Sequence, residues 1–87
     1  MSYKVKMGDM TFYYYKDPAH LIIHRDDGPA IEYKNGSKEW WRDGKRHRAD
    51  GPAVEFVNGE NSYWYNNTNY PEIMNNDQWL NFVKLFG

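Results

Sequence analysis

The stretch HRDDGPAIEYKNGSKEWWRDGKR, residues 24–46, is followed directly by HRADGPAVEFVNGENSYWYNNTN, residues 47–69. Both copies begin with His-Arg-x-Asp-Gly-Pro-Ala, and both carry an Asn-Gly pair and then aromatic residues at the same spacing. A self-similar period of this length is typical of proteins that stack one supersecondary unit on the next. The sequence therefore predicts two tandem copies of one small structural unit.

Each unit is predicted to form a β-hairpin. Residues 30–34 and 53–57 alternate apolar with charged or small side chains, which is the period of a half-buried strand. An Asn-Gly pair follows each of them and favours a tight turn with positive φ at both central residues. The return strands are then residues 37–42 and 60–65. They end at turns of similar chemistry, Asp43-Gly44 and Asn66-Asn67.

The register of these hairpins depends on the length of the Asn-Gly loop. A two-residue loop places Ile31 opposite Trp40, but it also places Glu32 opposite Glu39, and like charges in that position are unfavourable. A bulged three-residue loop removes the conflict. Both registers are left open at this point.

The Asp-Gly-Pro-Ala element can be explained by the turn alone. Asp27 and Asp50 are expected to accept hydrogen bonds from the backbone that follows them. Gly28 and Gly51 are expected at positive φ, and the next residue in each copy, a proline, fixes φ where a strand begins.

Two His-x-x-Asp pairs, His24/Asp27 and His47/Asp50, together with His20, suggest metal binding or acid–base chemistry. These residues recur with the period of the scaffold, whereas an active site is normally single. We therefore expect them to serve turns or hydrogen bonds between repeats. The sequence has no cysteine, no nucleophile elbow and no phosphate-binding loop. We predict a non-enzymatic protein with no catalytic residue, no metal and no cofactor.

The flanks complete the predicted fold. Residues 8–14 are similar to residues 36–42 and predict a partial hairpin before the repeats. Asn75 is predicted to cap a helix over residues 76–86, with Gln78 three residues further on. The apolar stripe of this helix contains Trp79, Phe82, Val83 and Phe86, and Gly87 stands where the helix would stop.

The prediction is a single domain over residues 1–87, of the mainly β (α+β) class. It is an antiparallel β-hairpin repeat meander with a C-terminal helix. Residues 1–23 form the partial hairpin, residues 24–46 and 47–69 the two repeats, and residues 70–87 the helical cap.

Composition narrows the function classes. Aromatic residues make up 18% of the chain, and no stretch approaches the length of a membrane helix or of a signal peptide. We expect a cytoplasmic protein without membrane contact. The net charge is −1, which gives no general attraction to nucleic acid or anionic lipid. Residues 1–48 carry +3 and residues 49–87 carry −4, so either pole is available to a partner.

With the repeat in view, residues 24–45 and 47–65 resemble the tandem His-Arg-x-Asp-Gly-Pro-Ala proteins of bacteriophage and bacterial genomes. These are distant, MORN-like relatives with the same period and hairpin unit, although this chain lacks most of the glycines of MORN repeats proper. The resemblance covers about half of the chain. It implies a small binding or scaffold module encoded by a phage, working in the host cytoplasm as an inhibitor of a host protein such as a defence nuclease.

Function is expected where the two copies differ. The basic residues Arg42, Lys45 and Arg46 become Tyr65, Thr68 and Asn69 in the second copy, so the scaffold does not require them. Neighbouring tryptophans in a strand point to opposite faces, and a single helix cannot cover both faces of a sheet. The candidate partner-binding residues are therefore Trp40, Trp41, Arg42, Lys45, Arg46, Arg48 and Trp64.

We predict that this surface binds a host protein. The alternative is a nucleic-acid-binding module that uses the basic and aromatic stretch 40–48, because cations that follow phosphates and rings that stack on bases are combined there. Pairing of copies through an open sheet edge would instead give a homo-oligomer.

Overall fold

The computed structural model of the protein describes residues 3–16 and 21–86. The predicted roles of His20, Gly87 and the Phe86 side chain lie outside the described part. The elements in chain order are β1 Tyr3–Met7, β2 Met10–Lys16, β3 Leu21–Ile23, β4 Ile31–Tyr33, β5 Lys38–Glu39, β6 Trp41–Arg42, β7 Lys45–Arg46, β8 Val54–Glu55, β9 Asn61–Ser62, β10 Trp64–Tyr65, β11 Thr68–Asn69, α1 Asn76–Val83 and a 3₁₀ turn, Lys84–Phe86.

Seven of these strands form one antiparallel sheet in the order β1-β2-β4-β5-β8-β9, with β3 beside the far end of β2. The remaining strands pair as two separate hairpins, β6 with β7 and β10 with β11. The predicted fold class is confirmed: a mainly β antiparallel meander with a C-terminal helix. Among the described residues, no helix is long and apolar enough to cross a membrane.

The two repeat hairpins have three-residue loops, because Tyr33 N donates to Ser37 O at 2.9 Å and Phe56 N donates to Glu60 O at 3.2 Å. In the first loop the Gly36 N–H also donates to Tyr33 O at 3.0 Å, which closes a turn ahead of the bulge. This is the bulged alternative, and the two-residue register is wrong.

The loop glycines explain this choice. Gly36 and Gly59 have φ of 99° and 87°, whereas the asparagine before each of them is not at positive φ. The expectation of two positive φ angles is therefore wrong, since a bulged loop needs only one. In the resulting register Glu32 lies opposite Lys38 rather than opposite another glutamate.

The return strands do not run straight through, as the alternation of residues 37–42 and 60–65 predicts. Each is interrupted after two residues, at Trp40 and at Tyr63. The backbone of Trp40 then donates to Ala53 O at 2.7 Å and accepts from His47 N at 3.2 Å. The chain leaves the sheet there and forms the small hairpin β6–β7, whose turn has positive φ at both Asp43 and Gly44.

The first hairpin matches the later units, with a shift of one residue. Tyr13 N donates to Ala30 O at 2.8 Å, as Trp40 N does to Ala53 O. Tyr13 is therefore the counterpart of Trp40, whereas the alignment of residues 8–14 with 36–42 predicts Trp41. The reason is that the loop between Met7 and Met10 has two residues, one fewer than the loops of the repeats.

The core is small and depends on small residues that let the layers approach. Ala30 and Ala53, the last residues of the two motif copies, are 0% exposed, and the strand residues after them, Ile31 and Val54, are buried. Trp79 is the one large side chain among the described residues that is fully buried. A chain of this length has few alternatives to such a ring for its apolar burial.

The helix begins as predicted. Asn75 adopts an extended conformation and its side chain accepts from Gln78 N at 2.9 Å, the N-cap interaction that the sequence indicates. Helix α1 ends at Val83, and the last residues of the predicted span form the 3₁₀ turn. Trp79 faces the repeats and lies 5.4 Å from Tyr63 and 5.7 Å from Tyr70, ring centre to ring centre.

Candidate functional site

The repeated motif holds an arginine in one position in each unit. In the first unit Arg25 donates through Nε to Asp27 Oδ1 at 3.0 Å and through Nη1 to the Pro29 carbonyl at 3.1 Å. Its guanidinium carbon lies 4.0 Å from the centre of the Tyr13 ring, which belongs to the preceding hairpin.

The second unit repeats this geometry. Arg48 donates to Asp50 Oδ1 at 3.0 Å and to the Pro52 carbonyl at 3.1 Å, and lies 3.8 Å from the centre of the Trp40 ring. It also donates to Glu55 Oε2 at 2.9 Å. We call this arrangement the arginine clamp, because it fixes the motif turn and joins each unit to the one before it.

The motif glycines serve the arginine clamp. Neither Gly28 nor Gly51 has a positive φ, contrary to the prediction. A Cβ atom at Gly51 would instead lie 3.0 Å from Cζ of Arg48, and the corresponding distance in the first unit, from Gly28 to Arg25, is 3.2 Å. The guanidinium crosses so close to the backbone that a Cβ atom at either glycine would force it to shift by a few tenths of an ångström.

The motif aspartates bind the same side chain. Asp27 and Asp50 accept from the Nε atoms of Arg25 and Arg48, whereas the sequence predicts that they accept from the backbone after them. A carboxylate and a guanidinium form a stronger, charge-assisted hydrogen bond, so the arginine displaces the turn N–H as the partner.

The repeated histidines connect one unit to the next turn. His24 Nδ1 accepts from Asp43 N at 2.9 Å, and His47 Nδ1 accepts from Asn66 N at 3.0 Å. A neutral imidazole that accepts through Nδ1 carries its proton on Nε2. The structural interpretation of the two histidines is supported by these contacts. Within residues 3–16 and 21–86, no group of three histidines or carboxylates is placed to hold a metal ion.

The two histidines differ in what their Nε2 atoms meet. His24 Nε2 lies 2.9 Å from Asp26 Oδ1. In the second unit Ala49 stands where the first has Asp26, and in the described part of the chain the Nε2 atom of His47 has no hydrogen-bond partner. Among the described residues, His47 therefore has an Nε2–H donor without the carboxylate partner that His24 has.

A second cluster lies around Glu39, which is only 7% exposed. Its carboxylate accepts from Tyr33 Oη at 2.7 Å, from Trp41 Nε1 at 3.0 Å and from Arg46 Nε at 3.1 Å. Burial, and then the hydrogen bond to Glu39, raise the pKa of Tyr33 to about 12. The Arg46 guanidinium also lies 5.2 Å from the Trp41 ring centre and 4.9 Å from that of Trp64.

The seven predicted partner-binding residues therefore do not form one exposed surface. Five of them are half-buried and engaged within the fold: Trp40, Trp41, Arg46, Arg48 and Trp64. The two that remain exposed are Arg42 and Lys45, which pair with each other's backbone in the hairpin β6–β7. Of the four basic residues, Arg46 and Arg48 are thus engaged within the fold, and Arg42 and Lys45 remain exposed.

These two cations border a groove between the turns of the small hairpins. We call it the cationic groove; it has a volume of about 320 Å³ and is lined by Arg42, Asp43, Lys45, His47, Tyr65 and Asn66. His47 is packed edge-on against Tyr65, with ring centres 4.4 Å apart. Burial, and then the positive charge of Arg42, lower the pKa of His47 below its ordinary value of 6.5.

This shift predicts a pH dependence of stability. Because the unfolded chain binds a proton at His47 more readily than the folded one, the contribution is complete above about pH 6.5 and is lost as the pH falls towards the folded-state pKa. We expect the free energy of unfolding, measured in urea, to decrease from about pH 7.5 to pH 5. In a His47→Asn variant, whose amide oxygen can still accept from Asn66 N, that part of the decrease should be absent. Identical pH profiles for the two proteins would contradict the assignment.

One surface was missed by the sequence analysis. The register of β1 on β2 places Tyr3, Val5 and Met7 on one face and Lys4 and Lys6 on the other. Tyr3 is 46% exposed and Met7 59% exposed. The alternation at residues 3–7 was a signal for this strand, and its period of two would have identified the apolar face.

This strand is also an edge. Within the described ranges β1 pairs with β2 alone, so its outer side carries backbone N–H and C=O groups that no other described strand binds. We call the outer side of β1 together with Tyr3, Val5 and Met7 the N-terminal face.

Comparison of the chain with protein-family models, with curated proteins and with solved structures finds no match.

Proposed function

We propose that the protein is a non-enzymatic module that binds another protein. The observation that carries the proposal is the N-terminal face, a strand edge with which no second described strand pairs and which carries two large exposed apolar side chains, Tyr3 and Met7. An extended segment of a partner can continue such a sheet through main-chain hydrogen bonds, while its side chains contact the apolar positions.

A second copy of the chain is a poorer occupant of this edge. Antiparallel pairing of two β1 strands about Val5 would place Lys4 of each copy opposite Lys6 of the other. Like charges in directly opposed positions destabilise a strand pair. The edge therefore favours a different protein over a homodimer.

Nucleic-acid binding, the alternative, receives less support from the geometry. Single-strand binding depends on aromatic faces that are free to stack on bases. Within the candidate stretch 40–48, Arg48 already lies over the ring of Trp40 and Arg46 over that of Trp41. Arg46 also lies over the ring of Trp64, outside the stretch. The resemblance of the repeats to phage proteins extends the proposal to a phage-encoded inhibitor of a host defence protein in the bacterial cytoplasm.

The test is capture of a partner from nuclease-treated bacterial lysate by the immobilised protein. We expect one host protein to be retained in stoichiometric amount by the natural chain and lost with a Tyr3→Glu/Met7→Glu double variant. A Val57→Glu variant is the matched control, since Val57 is 66% exposed but lies outside the N-terminal face. Equal retention by all three proteins, or retention only of nucleic acid or of further copies of the chain, would overturn the proposal.

A further inference from the structure

The two repeats place different charges around equivalent histidines. His24 has Asp26 at its Nε2 atom and the Asp43 carboxylate 3.5 Å from its Nδ1 atom. In the second unit the corresponding residues are Ala49 and Asn66, both uncharged. The surroundings of His47 have therefore lost two negative charges relative to those of His24, although the fold is the same.

The surroundings of His47 also carry positive charge. Arg42 and Lys45 line the cationic groove, and their side chains form no salt bridge with any carboxylate in the described part of the chain. Asp43, the one carboxylate among the described residues that line the groove, accepts from Tyr15 Oη at 3.1 Å. The groove thus presents two exposed cations beside the His47 ring, and the N–H groups of such cations are the donors that an anion requires.

We propose that the cationic groove is an anion-binding site that receives carboxylate side chains from an acidic segment of the partner protein. This inference rests on the proposed protein-binding function and adds the chemistry of one contact. The groove's volume, about 320 Å³, lies at the lower end of small-ligand sites, so it has room for a few charged side chains.

The charge pattern favours an acidic peptide over a nucleic acid. A protein that follows a phosphate backbone needs a continuous basic track, and its affinity decreases steeply with salt. Here Arg46 and Arg48, which would extend the track in sequence, are bound to Glu39 and to Asp50. Two exposed cations remain at the groove, which suits a few carboxylates.

The direct test is titration of the ¹⁵N-labelled full chain with a short peptide of six glutamates, followed by amide chemical shifts. Separate titrations use inorganic phosphate and a short single-stranded DNA. We expect the peptide to shift the amides of Arg42, Lys45, His47 and Asn66, and to bind more tightly than either phosphate or DNA.

The sharpest variant restores the missing carboxylate. Ala49→Asp gives the second unit the residue that pairs with His24 in the first, so it should occupy His47 Nε2 and lower the positive potential beside Arg42. We expect at least about tenfold weaker peptide binding, which corresponds to about 1.4 kcal/mol. Asn58→Asp is the matched control, because it makes the same charge change in an exposed loop where a carboxylate can also accept from Glu60 N.

Removal of the cations provides the second comparison. Arg42→Gln/Lys45→Gln should weaken peptide binding by more than about tenfold. Lys34→Gln/Lys84→Gln removes the same charge from exposed positions outside the groove and should bind the peptide with close to natural affinity.

Four results would overturn the inference. They are peptide shifts that map elsewhere, an Ala49→Asp variant that binds the peptide as tightly as the natural chain, phosphate that binds as tightly as the peptide, and DNA that binds more tightly than the peptide. The last would indicate a nucleic-acid site. If Ala49→Asp still captures the host protein while Tyr3→Glu/Met7→Glu does not, the inference about the groove fails and the proposed function stands.

Discussion

Replacement of Trp79 by alanine is expected to lower the free energy of unfolding by about 4 kcal/mol. Trp79 is 0% exposed, and its ring contacts Tyr63, Tyr65, Tyr70 and Phe82. Stabilities of small domains are only about 5–15 kcal/mol, so the variant should unfold at urea concentrations at which the natural chain is still folded. Urea unfolding followed by circular dichroism measures the difference.

Trp79 has this importance because it ends the array. One period after Arg25 and Arg48 the chain has Pro71, which cannot form an arginine clamp. The ring that such a clamp would cover is that of Tyr63, which occupies the position of Trp40. Trp79 lies over Tyr63 instead, and its Nε1 donates to the Arg48 carbonyl at 2.9 Å. Helix α1 thus packs Trp79 against the last unit, at the place that the arginine of a third motif would occupy.

Two further variants make the prediction specific. Trp79→Phe keeps a ring but leaves the Arg48 carbonyl without its donor, so a smaller loss of about 1–2 kcal/mol is expected. Leu85→Ala removes an apolar side chain that is 79% exposed and should change stability by no more than about 0.5 kcal/mol. Equal effects of Trp79→Ala and Leu85→Ala would show that the cap does not stabilise the sheet.

Much of the fold could be predicted because many of its features depend on interactions between residues that are close in the sequence. The structure contains several features that follow from interactions within a few residues. They are the N-cap at Asn75, the burial of Trp79 on the helix, and the turns at Asp43-Gly44 and Asn66-Asn67. Local patterns are the part of folding that a single sequence records most directly.

The motif glycines and aspartates could not be interpreted correctly in this way. Gly28 and Gly51 resemble turn glycines in the sequence, yet each serves an arginine that is oriented by an aromatic ring of the preceding unit. Contacts between units decide the roles of these glycines, and the spacing of residues within one unit does not contain them. The loop register is a local matter instead: the sequence allowed two loop lengths, and the φ of Gly36 and Gly59 distinguishes them.

The candidate site was predicted in part for the same reason. Comparison of the two copies drew attention to Arg42 and Lys45, and both are exposed. It could not show that Arg46 is turned inward, because that depends on the buried carboxylate of Glu39. The replacement of Asp26 by Ala49 was visible in the sequence, but its meaning required the position of Nε2 on each histidine.

The second prediction with a large expected effect on stability concerns the buried carboxylate of Glu39. Glu39→Ala should lower the free energy of unfolding by about 2–3 kcal/mol, because three donors, on Tyr33, Trp41 and Arg46, lose their common acceptor. Arg46 is 34% exposed, so water can replace part of its contact, and the loss should be smaller than for a fully buried ion pair.

Glu39→Gln separates charge from shape. Its amide oxygen can still accept from Trp41 or Arg46, so it should cost less than Glu39→Ala. Burial, the largest cause of the raised pKa of Tyr33, persists in this variant, but the hydrogen bond to a carboxylate and its negative charge are removed. That pKa should therefore fall from about 12 part of the way towards the ordinary value of 10. Tyrosine ¹³C shifts recorded against pH would show this directly. A Glu39→Ala variant as stable as the natural chain, or an unchanged Tyr33 titration in Glu39→Gln, would mean that the carboxylate does not hold the two rings and the arginine together. In the second unit Ser62 stands where Glu39 stands in the first and accepts from Trp64 Nε1 at 3.1 Å. The counterparts of Tyr33 and Arg46 there are Phe56 and Asn69, so the phenol and guanidinium donors are absent and a neutral acceptor suffices.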